Sequence, residues 1–164
     1  MPVIWITGLP GAGKTSAAEA VVARLRSRGE PCLLLDGDHL REALSPLASG
    51  HDEAVRRRLA HSYVNIAGLV ARQGITCVVA TVSLFADIHA RNRSGFAPYL
   101  EVLLVCPESE RTRRRSDPGP GPRVGTEIVA EWPMAHLVLD SGEHTTEDIA
   151  AIILTRWHGL AHAG

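Results

Sequence analysis

The chain has 164 residues, of which 45% are hydrophobic and 21% charged, and a formal net charge of −1. A chain of this length can bury a real core, and its near-neutral balance argues against a general nucleic-acid or anionic-membrane binder. Cys32, Cys77 and Cys106 are odd in number and widely spaced, which argues against a disulfide framework or zinc site and fits a reducing cytoplasm. No apolar run is long enough to span a bilayer, so a cytoplasmic chain is expected.

Strand-like runs are predicted over 3–7, 31–35, 75–82, 99–106 and 136–140, and helices over 14–28, 38–45, 53–73, 84–93, 107–115 and 145–157. The strands are apolar nearly throughout, as in Leu33-Leu34-Leu35 and Val102-Leu103-Leu104-Val105. Continuous apolarity means burial on both faces, hence an α/β fold: a five-stranded, mostly parallel sheet with helices on both faces, one domain over 1–164.

After the first strand, Gly8-Leu9-Pro10-Gly11-Ala12-Gly13-Lys14-Thr15 is a complete phosphate-binding loop. Gly8, Gly11 and Gly13 let backbone N–H groups converge on phosphate oxygens, and the helix that begins at Lys14 adds its dipole. Lys14 is placed to reach the β- and γ-phosphates and Thr15 to hold Mg²⁺, with Ala12 and Ser16 in the same cradle. The expected ligands are ATP and Mg²⁺.

The second strand is followed by Asp36-Gly37-Asp38-His39-Leu40-Arg41. Strand ends in a parallel sheet face the ligand crevice. Asp38 could therefore accept the proton of an attacking hydroxyl, or simply cap the next helix; Arg41 could bind an acceptor's anion. Arginine recurs at Arg56-Arg57-Arg58, any of which could clamp acceptor anions, with Arg58 chosen. It recurs again at Arg111, Arg113, Arg114 and Arg115. Arg115 is assigned to ATP, Arg111 and Arg114 remaining open. Asn65 and Phe85 could meet an acceptor base. His158 and His162 share a helical spacing, but Gly159 between them favours a frayed tail over a metal pair. The run 116–125, rich in alternating proline and glycine, is expected to be an exposed loop in the lid region.

The chain resembles the adenylylsulfate kinase family of P-loop kinases. The resemblance rests on GLPGAGKT (8–15), LDGDHLR (35–41), ARQGITCVVATVS (71–83), YLEVLLVCPESE (99–110) and VGTEIVAEWPMAHLVLD (124–140). It implies transfer of the ATP γ-phosphoryl to the 3′-hydroxyl of adenylylsulfate with Mg²⁺, Lys14 and Asp38 acting in catalysis, and Asp38, Arg41 and Ser83 on the acceptor. Three departures stand out. Ser83 is followed by Leu84-Phe85 rather than a proline–aromatic pair. The usual Glu-Asn-Ile-Arg-Arg helix start is replaced by residues 53–61, and the lysine-bearing lid element is absent, which predicts an open, leaky site. The patterns over 57–63 and 81–85 look more like a side branch that includes cytidine diphosphoramidate kinases. The partner is then a small-molecule nucleotide, with no nucleic acid or membrane, and a homodimer is left open. Two alternatives stand beside this: a nucleotide-binding sensor with weak turnover, and a sugar-acid kinase.

Overall fold

The computed structural model describes residues 1–45, 50–114 and 121–161. In chain order the elements are β1 (Val3–Thr7), α1 (Lys14–Ser27), β2 (Cys32–Asp36), α2 (Gly37–Ala43), α3 (Glu53–Ala71), β3 (Thr76–Ala80), α4 (Ala86–Gly95), β4 (Tyr99–Val105), α5 (Glu108–Arg114), β5 (Leu137–Asp140) and α6 (Thr146–Ala161). The five strands form one parallel sheet in the order β2-β3-β1-β4-β5. Successive crossovers go to opposite sides of β1, and this switch point opens a crevice beyond its carboxyl end.

Alternate residues of each central strand feed two separate cores. Val3 and Trp5 of β1 join Cys77, Val79, Tyr99 and Leu103 beneath α3 and α4. Ile4 and Ile6 join Val78, Ala80, Leu100 and Val102 beneath α1 and α6, where Trp157 is also buried. This two-sided burial is why the strands read as unbroken apolar runs. Trp132, on the connection into β5, is by contrast 53% exposed. α3 packs through Val55, Leu59, Tyr63, Val64, Ala67 and Ala71, an apolar stripe at helical period, and starts at Asp52, whose carboxylate accepts from Val55 N at 2.8 Å. None of the described helices is long and apolar enough to cross a membrane.

Two boundaries differ from the sequence reading for physical reasons. β3 ends at Ala80 rather than 82, because residues 81–85 leave the sheet through Ser83, whose φ is 23°. α6 runs through Gly159 to Ala161 instead of fraying after 157. His158 is held there by Glu30 at 3.0 Å and by Arg28, so tertiary contacts outweigh the local cost of the glycine. His162 lies outside the described residues.

β4 carries a carboxylate where the pattern expects a hydrophobe. Glu101 is fully buried and accepts hydrogen bonds from His89 Nδ1 (2.8 Å), Tyr99 (2.9 Å) and Arg93 (2.5 Å). Burial pushes its pKa up, but the bonds from His89 and Arg93 more than reverse this and hold it below the ordinary range. A depressed carboxylate contributes its full stability at neutral pH. The contribution is lost as pH falls from an unfolded value of about 4.3 through the lower folded value. Urea midpoints from pH 7 to pH 3 should therefore fall, and Glu101→Gln should flatten that fall while costing about 2 kcal/mol at neutral pH. Curves of identical shape for the two proteins would place the acid sensitivity elsewhere.

Candidate active site

The loop after β1 wraps the crevice end of the sheet, and two of its glycines, Gly8 and Gly11, are required by space as well as conformation. Gly8 has φ 148°, and a Cβ there would collide with the carbonyl oxygen of Leu104. At Gly11, φ 83°, a Cβ would lie 2.7 Å from the carbonyl oxygen of Arg111. Gly13, φ 86°, serves as the N-cap of α1. Ala12 is buried beneath the loop, and Ser16 lies exposed in the first turn of α1, on the cavity wall. Lys14 Nζ donates to the Leu9 carbonyl at 3.0 Å, which folds the ammonium back across the loop.

Thr15 and Asp36 meet across the mouth of the crevice: Thr15 Oγ1 donates to Asp36 Oδ2 at 2.7 Å. The second oxygen of Asp36 accepts from Asp38 N at 2.9 Å, so Asp36 is the N-cap of α2, which begins at Gly37. The alternative role suggested for Asp38, capping the next helix, therefore belongs to Asp36. Asp38 is exposed, and among the described residues its carboxylate makes no hydrogen bond or ion pair. A hydroxyl and a carboxylate supply the hard oxygens that Mg²⁺ prefers when phosphate and water complete its shell, so Thr15 and Asp36 fit such an ion. Among the described residues no three His, Cys, Asp or Glu side chains cluster closely enough to hold a metal by themselves.

One cavity of about 720 Å³ joins this loop to the second motif. Lys14, Thr15, Ser16, Asp38, Arg41, Ser83 and Phe85 all line it, so most of the residues singled out in the sequence come together. Arg58 does not; it is exposed on the outer side of α3, and Arg56 lines the cavity instead. The helical turn decides between them, since Arg56 follows the buried Val55 and precedes Leu59 and Tyr63 on the inward face. Arg115 lies outside the described residues, while Arg114 lines the cavity and bonds both the hydroxyl and the carbonyl of Ser141, at 3.0 and 2.9 Å. Asn65 is away from this cavity and accepts from Arg91.

The cavity's far half is positively biased. Arg56 donates to the carbonyls of His51 (2.9 Å) and Pro122 (3.0 Å), and Arg41 to that of Gly50 (3.2 Å). Burial lowers the pKa of Arg56 and the neighbouring charge of Arg41 lowers it further. Two guanidinium groups that line one cavity and feel each other's charge favour an anion there. Tyr63, missed in the sequence, lines the same wall and donates to Gly37 O at 3.3 Å; burial raises its pKa. Its signal was its place on the apolar stripe of α3. Asp36 is a second residue that the motif alone does not single out, although it ends β2 two residues before Asp38 and is itself buried.

Of the loop expected to be exposed over 116–125, Gly121, Arg123 and Gly125 are exposed, while Val124 turns inward. Val124 and Ile128 are buried and paired in a bridge, Gly125 at φ 91° packs on Leu9, and Arg56 ties down Pro122. Two apolar side chains and a glycine turn thus seat this part against the phosphate loop. Residues 115–120 lie outside the described residues.

A profile described as adenylylsulphate kinase matches residues 1–119. The chain belongs to the adenylylsulphate kinase family. A cytidine diphosphoramidate kinase of Campylobacter jejuni is 34% identical over 112 residues, 68% of this chain and 65% of that protein. An adenylyl-sulfate kinase of Deinococcus deserti is 37% identical over 112 residues, 68% of this chain and 61% of that protein. The chain therefore spans somewhat less than two thirds of these curated relatives. The APS kinase of Mycobacterium tuberculosis, solved in complex with AMPPNP and APS, superposes with a TM-score of 0.82 at 25% identity, over 94% of this chain and 95% of that one. The adenylylsulphate kinase profile stops at residue 119, so the seated turn at 121–128 lies beyond the part of the chain that it matches.

Proposed function

We propose that this chain is an ATP-dependent phosphotransferase. It transfers the γ-phosphoryl group to a ribose hydroxyl, the 3′-hydroxyl, of a nucleotide that carries an anionic or polar group beyond its 5′-phosphoryl: adenylylsulfate or a cytidine diphosphate derivative. The observation that carries the reading is Asp38, whose carboxylate has no hydrogen-bond or ion-pair partner among the described residues and lines the same cavity as Lys14 and Arg41.

The loop amides and Lys14 hold the β- and γ-phosphates. Thr15 and Asp36 would hold Mg²⁺, which when bound neutralises phosphate charge. Asp38 orients the acceptor hydroxyl and takes its proton as the new oxygen–phosphorus bond forms and the β–γ bridge bond breaks, releasing ADP. Arg41 and Arg56 clamp the acceptor's anions, and Arg114 lies on the nucleotide side.

Incubation with ATP, Mg²⁺ and either adenylylsulfate, cytidine diphosphoramidate, gluconate or shikimate tests the reading. ADP should form with a nucleotide acceptor and not with the sugar acids. Arg41→Ala should raise the acceptor KM about tenfold or more, the scale of a charged hydrogen bond, and leave the KM for ATP nearly unchanged. Turnover with the sugar acids alone, or an equal rise in both constants, would move the protein out of this class.

A further inference from the structure

Phe85 lines the acceptor wall from a ring that is otherwise packed in the core under α3 and α4, but its own residue cannot cap the helix it begins. It precedes α4 as the N-cap residue and, having no polar side chain, makes no capping bond. The preceding stretch is bent at Ser83. One residue distant in sequence brackets it on both sides. Glu131 N donates to the Leu84 carbonyl at 3.0 Å, and Glu131 Oε2 accepts from Ala86 N at 2.5 Å. The carboxylate thereby supplies the N-terminal cap that Phe85 cannot, at the positive end of the helix dipole.

Glu131 also reaches the cation that covers the ring. The Arg57 guanidinium lies over Phe85, 4.4 Å from the ring centroid, and is held by Asp87 (2.5 Å), Glu53 (3.1 Å) and Glu131 (3.6 Å). Glu131 follows buried Ile128 by three residues, so the segment that brings Arg123 and Val124 to the cavity also fixes Phe85.

Resting on the function proposed above, we infer that Glu131 is a positioning residue for the acceptor: it fixes Phe85 by bracketing Leu84 and Ala86 and by holding Arg57 against the ring. The chemistry at the phosphates does not pass through it. Its effect is confined to acceptor affinity, and it joins that affinity to the seating of residues 121–128.

Calorimetric titration of wild type, Glu131→Ala and Glu131→Gln with adenylylsulfate and with cytidine diphosphoramidate, in the presence of a non-hydrolysable ATP analogue, tests this. Glu131→Ala should weaken the acceptor about five- to tenfold, the scale of one lost cap, while the ATP analogue binds as before. Glu131→Gln, whose amide oxygen can still accept from Ala86 N, should stay within about twofold of wild type. Arg57→Met should add little on top of Glu131→Ala, since both act through one ring. Equal losses for both ligands, no loss, a Gln variant as weak as Ala, or additive losses would overturn the inference. The binding arms judge Glu131 even if wild type transfers no phosphoryl group, which would count against the proposed reaction alone. A wild type that binds neither acceptor removes both.

Discussion

Lys14→Ala is expected to abolish phosphoryl transfer, lowering kcat by about two to three orders of magnitude, the cost of removing one preorganised charge from a transferring group. The fold should survive the change. Lys14 opens α1, alanine is the best helix former, and a bond of the ammonium runs to a carbonyl of its own loop. Lys14→Arg should not restore activity, because a planar fork cannot take the place of a compact ammonium in a loop of this radius. A purified Lys14→Ala protein with an unchanged melting temperature and near-normal turnover would show that this loop does not hold the transferred phosphate.

Asp38→Asn should act on rate rather than on ATP binding, with kcat falling about a hundredfold or more, the scale of a lost general base. The structure sharpens this expectation. Asp36 caps α2 and engages Thr15, whereas Asp38 supports no other group in the described structure. The change is close to isosteric and breaks no bond of the fold, so stability should stay within about 0.5 kcal/mol, as for surface substitutions generally. Asp36→Asn is the informative partner. It should disturb both the α2 cap and the metal-facing pair, and so raise the KM for ATP–Mg²⁺ as well. Two variants with the same profile would dissolve the division of labour between these carboxylates.

Most of the architecture was legible because the central strands are buried on both faces, and the edge strands β2 and β5 stay apolar although Leu33 and Val138 are exposed. The runs 3–7 and 99–106 read as buried strands of a parallel sheet, and they occur as β1 and β4. The phosphate loop was legible for a related reason: glycine at 8, 11 and 13 is favoured by positive φ, and at 8 and 11 also by backbone close by, so the motif and the geometry are one constraint. What depends on rotation about a helix axis, or on contacts distant in sequence, was not legible. Nothing in Arg56-Arg57-Arg58 alone says which guanidinium faces inward, and Arg58 points away. The turn at 121–128 was hidden for the same reason. Its proline and glycine content announces a loop, but the burial of Val124 and Ile128 depends on Leu9 and Arg56, over a hundred and over sixty residues away respectively.

The placement of the tryptophans gives the molecule built-in optical reporters. Trp5 lies in the core under α3 and α4, Trp157 in the core under α6, and Trp132 in solvent beside Glu131. The two buried indoles should emit at short wavelength and resist quenching by acrylamide; the exposed one should emit to the red and quench readily. Replacing them singly by phenylalanine would let denaturation of each side of the sheet be followed separately. Trp132 left as the sole emitter would report nucleotide arriving in the crevice as a change in the solvation of its own segment, with no label attached.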